Sequence, residues 1–437
     1  MASKNKAWVI SVDMGYGHQR AAYPLKDIAY ERIITANSDK ITTPKEKKKW
    51  LRFQSFYEGV SRVRSFPVIG EILWNVFYKF QSISPYYPFR DLSKPNFGSI
   101  YMHRLIKKDF FRSVAEYTKK KNIPFVSTFF APALAAAHAK IKNVYCIVTD
   151  TDINRIWVPE RPKEERLYYL TPTEHSTKRL MAYGVPKENI FFTGFPLPKE
   201  NLGNNLEILK KDLGERLPNL DPNKRHQSRY GLVIKKYLGK YYKRKSNHPL
   251  TLTFVVGGAG AQKEITAAML KSLREKIRKH KIRVNLIAGT RLEIGQYFKK
   301  IVDELNLKKE LGKHVNILCA LDKKDHFQKF NELLHTTDIL WTKPSELSFY
   351  AALGLPIILS PALGAHETFN QEWLTRMGAG IPQGNPYYTD EWLFELLDKG
   401  SLAEAAWEGF TEAPRYGTYN IEKVIFSRSK RNLRFKY

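Results

Sequence analysis

The sequence predicts an α/β protein built from two Rossmann-like domains that face one another across a cleft. Three observations carry this reading. Apolar strand-like runs alternate with helical patterns, each half of the chain is the size of one nucleotide-fold domain, and each half opens with a strand followed at once by a glycine turn. Such alternation implies parallel sheets wrapped by helices. The expected organisation is a first domain over residues 1–200, a linker or insert over 201–248, a second domain over 249–411, and a segment over 412–437 that crosses back to the first domain or trails as a basic tail.

In the first half the strands fall at Trp8–Val12, Phe125–Thr128, Val144–Thr149, Tyr168–Thr171 and Ile190–Thr193. In the second they fall at Leu250–Val256, Val284–Ala288, Val315–Cys319, Ile339–Trp341 and Pro356–Ser360. Between them, Leu202–His248 is polar, rich in Lys and Arg, and interrupted by Pro218 and Pro222, the composition of a connection. Leu51–Tyr101 departs from the alternation, being aromatic and basic. Within it Pro67 opens a helical pattern in which Val68, Ile69, Ile72, Leu73, Val76, Phe77 and Phe80 share one stripe. That stripe is either a core-facing helix or, with Arg62, Arg64 and Lys79 around it, an apolar flap for lipid and acceptor formed by Ile72, Val76 and Phe80.

At 437 residues and 43% hydrophobic content the chain is long enough for large buried cores. Lys and Arg number 72 against 43 Asp and Glu, a formal net charge of +29, which favours anionic partners. The charge is spread along the chain and no DNA- or RNA-binding motif accompanies it, so no nucleic acid is expected; an anionic membrane surface is. Cys146 and Cys319 sit in apolar runs, which predicts two buried thiols, no disulfide framework and a reducing compartment. The start lacks a secretory pattern and no apolar run approaches the ~20 residues of a membrane span. The expectation is a cytoplasmic protein, peripheral on the inner membrane face.

Chemistry concentrates in a few stretches. In "VDMGYGHQRAA" (12–22), Gly15 and Gly17 separate a strand from a helix start and leave His18 at the mouth. In "FVVGGAGAQKEI" (254–265), the backbone N–H groups of Gly257, Gly258, Gly260 and Ala261 suit a diphosphate, and the absence of GxxxxGK[ST] disfavours nucleotide hydrolysis. Arg291 lies just past the strand ending at Gly289, suited to a phosphate or a neighbouring acid. The stretch 342–373 reads as a strand end, a Pro344 turn, a small-residue helix, a second strand, and a loop holding His366, Glu367 and Asn370, placed to grip sugar hydroxyls.

Taken in order, the opening loop, "GGAGA" and "GLPIILSPALGAHETFN" resemble the two-domain GT-B glycosyltransferases, especially the diacylglycerol galactosyl- and glucosyltransferases of the monogalactosyldiacylglycerol synthase type and their relative MurG. The likeness extends through 144–194, with Thr-Asp after a strand, Trp157, a Pro-Thr-Glu helix start and a Gly-Val-Pro turn. It implies transfer of a sugar from a nucleotide diphosphate sugar, expected as a uridine one, to a lipid hydroxyl, with inversion, without a bound metal and without a cofactor. By family position His18 is the base candidate, with Asp150 its rival and Asp13 able to orient it. The resemblance puts the acceptor beside Gly15, Gly17 and Trp157, and the donor beside Gly257–Ala261, Arg291, Glu346, His366, Glu367 and Asn370. One departure stands out: the family's ribose-gripping glutamate falls here on Phe349, with Glu346 one helical turn earlier. Two other readings are carried alongside, a sugar-nucleotide 2-epimerase of the same fold and a non-catalytic basic protein that binds membrane or nucleic acid. The oligomeric state is left open.

Overall fold

The computed structural model describes residues 5–63, 83–256, 262–362 and 364–427, with the backbone alone at 55–63 and 365. The expected flap, with Ile72, Val76 and Phe80, and the second glycine turn, with Gly257, Gly258, Gly260 and Ala261, lie outside the described residues. The chain divides into two compact units, Met1–Pro196 with Tyr416–Tyr437, and Leu197–Arg415.

The first unit holds six parallel strands: β1 (Ala7–Ser11), β2 (Ala29–Thr35), β3 (Phe125–Ser127), β4 (Val144–Ile147), β5 (Leu167–Thr171) and β6 (Ile190–Phe192), in the order β2-β1-β3-β4-β5-β6. Every residue of β1 is buried, as a parallel strand covered on both faces requires. Alternation along the pleat sends Trp8 and Ile10 into one core with Phe125, Cys146 and Tyr169, and Ala7 and Val9 into another with Val126, Tyr145 and Leu170. That second core is completed from the far end of the sequence, by Ile421, Val424 and Ile425 of helix Gly417–Ser427. Gly417 permits the approach, because a Cβ there would stand 1.9 Å from the Phe195 carbonyl oxygen. Asn420 Nδ2 then donates to the Thr193 carbonyl at 3.0 Å.

The second unit repeats the plan with β7 (Thr251–Val255), β8 (Arg283–Gly289), β9 (Val315–Cys319), β10 (Ile339–Thr342), β11 (Ile357–Leu359) and β12 (Gly380–Pro382), in the order β12-β11-β10-β7-β8-β9. Residues 201–248, expected as a linker or insert, instead supply helices Glu207–Leu220 and Arg225–Leu238 to this unit. Their polar composition hides a narrow apolar stripe, Leu209, Leu213, Leu217 and Leu220, and one buried cation. The Arg216 guanidinium donates to the carbonyls of Thr337 (2.7 Å), Leu353 (2.7 Å) and Gly354 (3.1 Å), closing element ends that would otherwise lack partners. Cys146 is buried as expected, whereas Cys319, beside the β9 exit, is half-buried.

In each sheet the strand order reverses once, between β1 and β3 and between β7 and β10. Crevices outside the carboxyl ends of such reversals are where α/β sheets bind ligands. Both glycine turns follow the first strand of a reversal.

Candidate functional site

At the first reversal the chain leaves β1, turns through Gly15 at φ +74°, and enters the short helix Gly17–Ala22 with His18 as its second residue. Positive φ here is the reason for glycine. Beyond β3, Thr128 meets this turn twice: His18 Nδ1 lies 2.8 Å from the Thr128 carbonyl, and Thr128 Oγ1 donates to the His18 carbonyl at 2.8 Å. A carbonyl can only accept, so neutral His18 carries its proton on Nδ1 and its basic lone pair on Nε2. The Thr149 hydroxyl stands 3.4 Å from Nδ1 and 3.5 Å from Asp150 Oδ2. Asp150 therefore meets the histidine at one remove, through Thr149. Phe129 packs edge-on against the imidazole at 4.7 Å, with Trp157 at 6.5 Å. Trp157 is itself buried against Phe130 at 5.2 Å, so it forms a wall behind the histidine. Asn37 fixes the backbone of Asp13, its Oδ1 accepting from the Asp13 N–H at 2.7 Å and its Nδ2 donating to the Asp13 carbonyl at 3.2 Å.

The second reversal is armed with charge. Lys343, the first residue past β10, donates from Nζ to Glu367 Oε1, and the Glu367 side chain is only 3% exposed. Asn370 is fully buried and donates from Nδ2 to the Pro344 carbonyl at 3.3 Å. His366, Glu367 and Asn370 stand on helix Ala365–Arg376, not on the loop the sequence suggested: Gly364 ends the loop and the helix begins one residue before His366. Gln262, at φ +67°, donates from Nε2 to the Pro361 carbonyl at 2.8 Å, joining the exits of β7 and β11.

The remaining candidates are more dispersed. Arg291 caps helix Leu292–Glu304 beyond β8 and pairs with Glu293 at 3.7 Å, both substantially exposed. Glu346 opens a 3-10 helix, Glu346–Leu353, where the sequence suggested an ordinary helix. Phe349 in that turn is buried, its ring 5.2 Å from Trp373. The position where relatives' resemblance implies a carboxylate is thus an aromatic in the core. Thr128, Thr149 and Lys343 were missed from the sequence. Thr128 holds the imidazole through its backbone carbonyl, which leaves no side-chain signal, and only its hydroxyl contact to the His18 backbone is carried by a side chain; Lys343 has a plainer signal, being a cation directly after a strand. Leu292 and Leu321, 70% and 93% exposed beyond β8 and β9, add apolar surface to the same carboxyl edge.

Among the described residues one group has metal-ligating types close together, His280, Glu310 and His314. It sits at the amino end of β9, the opposite edge from the strand exits. The two imidazoles stack 4.1 Å apart and 4° from parallel, which aims their in-plane lone pairs side by side and not at a common point.

Residues 239–420 match the model of a family described as Domain of unknown function (DUF6938). Over 402 residues the chain is 22% identical to a processive diacylglycerol beta-glucosyltransferase of Bacillus cytotoxicus, covering 87% of this chain and 82% of that protein. Among solved structures it is similar to MurG of Acinetobacter baumannii (14% identity, 96% and 99% of the two chains, TM-score 0.45). It is also similar to the UDP-GlcNAc 2-epimerase of Neisseria meningitidis bound to UDP-GlcNAc (15%, 78% and 84%, TM-score 0.43).

Proposed function

We propose that this protein is a GT-B glycosyltransferase that moves a sugar from a nucleotide diphosphate sugar, uridine-linked as its sequence resemblance implies, to a hydroxyl of a lipid such as diacylglycerol, with inversion. One observation carries the reading: His18, held through Nδ1 by the Thr128 carbonyl at the β1–β3 reversal, has its proton-accepting nitrogen fixed as Nε2. The similarity to a diacylglycerol glucosyltransferase over most of the chain supplies the reaction class.

In this reading the acceptor hydroxyl attacks C1 of the donor sugar while Nε2 takes its proton, and the bond from C1 to the diphosphate oxygen breaks with its electron pair on the diphosphate. A neutral imidazole that offers a lone pair suits that transfer. Asp150 is a positioning group acting through Thr149. On the other unit, Glu367 and Asn370 accept and donate to sugar hydroxyls, Lys343 keeps the buried carboxylate charged, and Arg291 faces the phosphates. The sequence sets Gly257, Gly258, Gly260 and Ala261 directly after β7, where peptide N–H groups meet a departing diphosphate. Phe349 leaves the ribose to another group, for which Glu346 is the candidate. The lipid acceptor and the basic excess together favour work at an anionic membrane surface, and among the described residues no helix is long and apolar enough to cross one.

The test is incubation of the purified protein with radiolabelled UDP-sugars in the presence and absence of diacylglycerol. Label passing into lipid only when diacylglycerol is present is the expected result. A nucleotide sugar isomerised without acceptor defeats the transferase in favour of the epimerase, and binding with no turnover of any donor leaves the non-catalytic reading.

A further inference from the structure

Helix Arg225–Leu238 is unlike its neighbours. It buries only His226, Ile234 and Leu238 in the second unit, and presents the rest of its circumference outward. On the outward side Arg225, Arg229, Leu232 and Lys236 fall at i, i+4, i+7 and i+11, a single stripe. Leu232 is 87% exposed at the centre of that stripe, and Val233 and Tyr237 continue the apolar surface along one flank, 46% and 51% exposed. From residue 222 to 263 the sequence has no Asp or Glu, while 222–248 carries nine Lys and Arg. No acid of the segment itself offsets those cations.

We propose that this helix docks the second unit on an anionic lipid bilayer, lying along the headgroups with its cations on phosphate and Leu232 reaching the acyl boundary. Charge complementarity selects the class of partner, and the apolar centre selects among its members. Cations alone fit a nucleic acid backbone equally well, but a nucleic acid gives an outward leucine nothing to enter, whereas an interface buries it. Tyr237, with an apolar ring and a polar tip, matches the same depth. This helix belongs to the second unit, whereas Leu51–Tyr101 belongs to the first, and the proposal stands independently of the reaction proposed above.

The experiment is co-sedimentation of the full-length protein with phosphatidylcholine vesicles, with and without phosphatidylglycerol. The protein is expected to sediment with the anionic vesicles and to be released by salt. Leu232→Asp and Lys236→Glu are each expected to weaken partitioning by about five-fold or more, near the value of one interfacial cation. Both positions are exposed enough for the fold to survive, which an unchanged melting temperature checks. Partitioning that the double variant leaves unchanged overturns the proposal, as does equal binding to neutral vesicles. So does a variant whose RNA binding falls while its vesicle binding does not. Transfer to a short-chain diacylglycerol in detergent separates the two proposals, since the double variant is expected to keep it. If the wild type fails that assay the reaction falls, and the vesicle result still decides the helix.

Discussion

The two strand reversals share a topology and differ in how their polar groups are held. Around His18 the restraints are neutral: a backbone carbonyl, a threonine hydroxyl and aromatic rings. Around Glu367 the restraint is a formal charge, the Lys343 ammonium, against a carboxylate almost wholly removed from water. A group that must gain and lose a proton at each turnover is best oriented by partners that do not pin its charge. A group that grips a ligand is best kept in one ionisation state. Under the proposed reaction, the difference assigns proton chemistry to the first reversal and binding to the second.

His18→Ala tests that assignment most severely, with an expected fall in kcat of about 10²–10⁴ and little change in the affinity for the donor nucleotide. A loss confined to donor binding, seen by calorimetry, would reverse the roles of the two sites. Next in size is Lys343→Met, which leaves the Glu367 carboxylate buried without its cation. It is expected to destabilise the second unit by about 2–4 kcal/mol in denaturant unfolding, and Lys343→Met with Glu367→Leu to regain most of that stability without regaining activity. If the double variant is as unstable as the single one, the pair is not what holds this end of the sheet. Asp150→Asn should matter less, lowering kcat by about ten-fold or under, because Thr149 stands between its carboxylate and His18.

The smallest effect lies outside both reversals and serves as the control. Burial, with the nearby Glu160 and Glu164 carboxylates, pushes Glu165 up to about 7, and its Oε2 is buried without a hydrogen-bond partner. The folded state therefore holds this proton more tightly than the unfolded one. Its contribution is fully present below the ordinary carboxylate value, 4.5, and is lost as pH rises through 7. Glu165→Gln is expected to raise the melting temperature by about 2–4 °C at pH 8, to leave it unchanged at pH 4, and to leave kcat alone. A shift of the same size at both pH values would place the effect in packing instead of ionisation.

Much of this was legible in the sequence where burial is two-sided. Strands such as β1 and β7 are buried runs because both faces are covered, and apolar runs mark ten of the twelve strands, including the half-buried edges β6 and β9. The two that do not, β2 and β12, each lie at one edge of a sheet and lack an apolar run of their own: β2 carries Glu31 and Arg32, and β12 is three residues ending in Pro382. Helices Glu207–Leu220 and Arg225–Leu238 read as a linker in the sequence because the first buries polar Glu215 and Arg216 beside its leucines and the second buries only His226, Ile234 and Leu238 in an otherwise charged segment. At the site, His18, Glu367 and Asn370 stood out as polar types next to turns. Their anchors did not, since the Thr128 and Pro344 contacts run through carbonyls, which every residue has.

Helix Gly417–Ser427 makes the first unit discontinuous, with the whole of Leu197–Arg415 threaded between its two pieces. A ribosome therefore delivers the last wall of the amino-terminal core only after Leu197–Arg415 has emerged, when the second unit has had time to fold. A chain cut short before Gly417 would leave Ala7, Val9 and Val126 open to water, a ready target for chaperones and proteases.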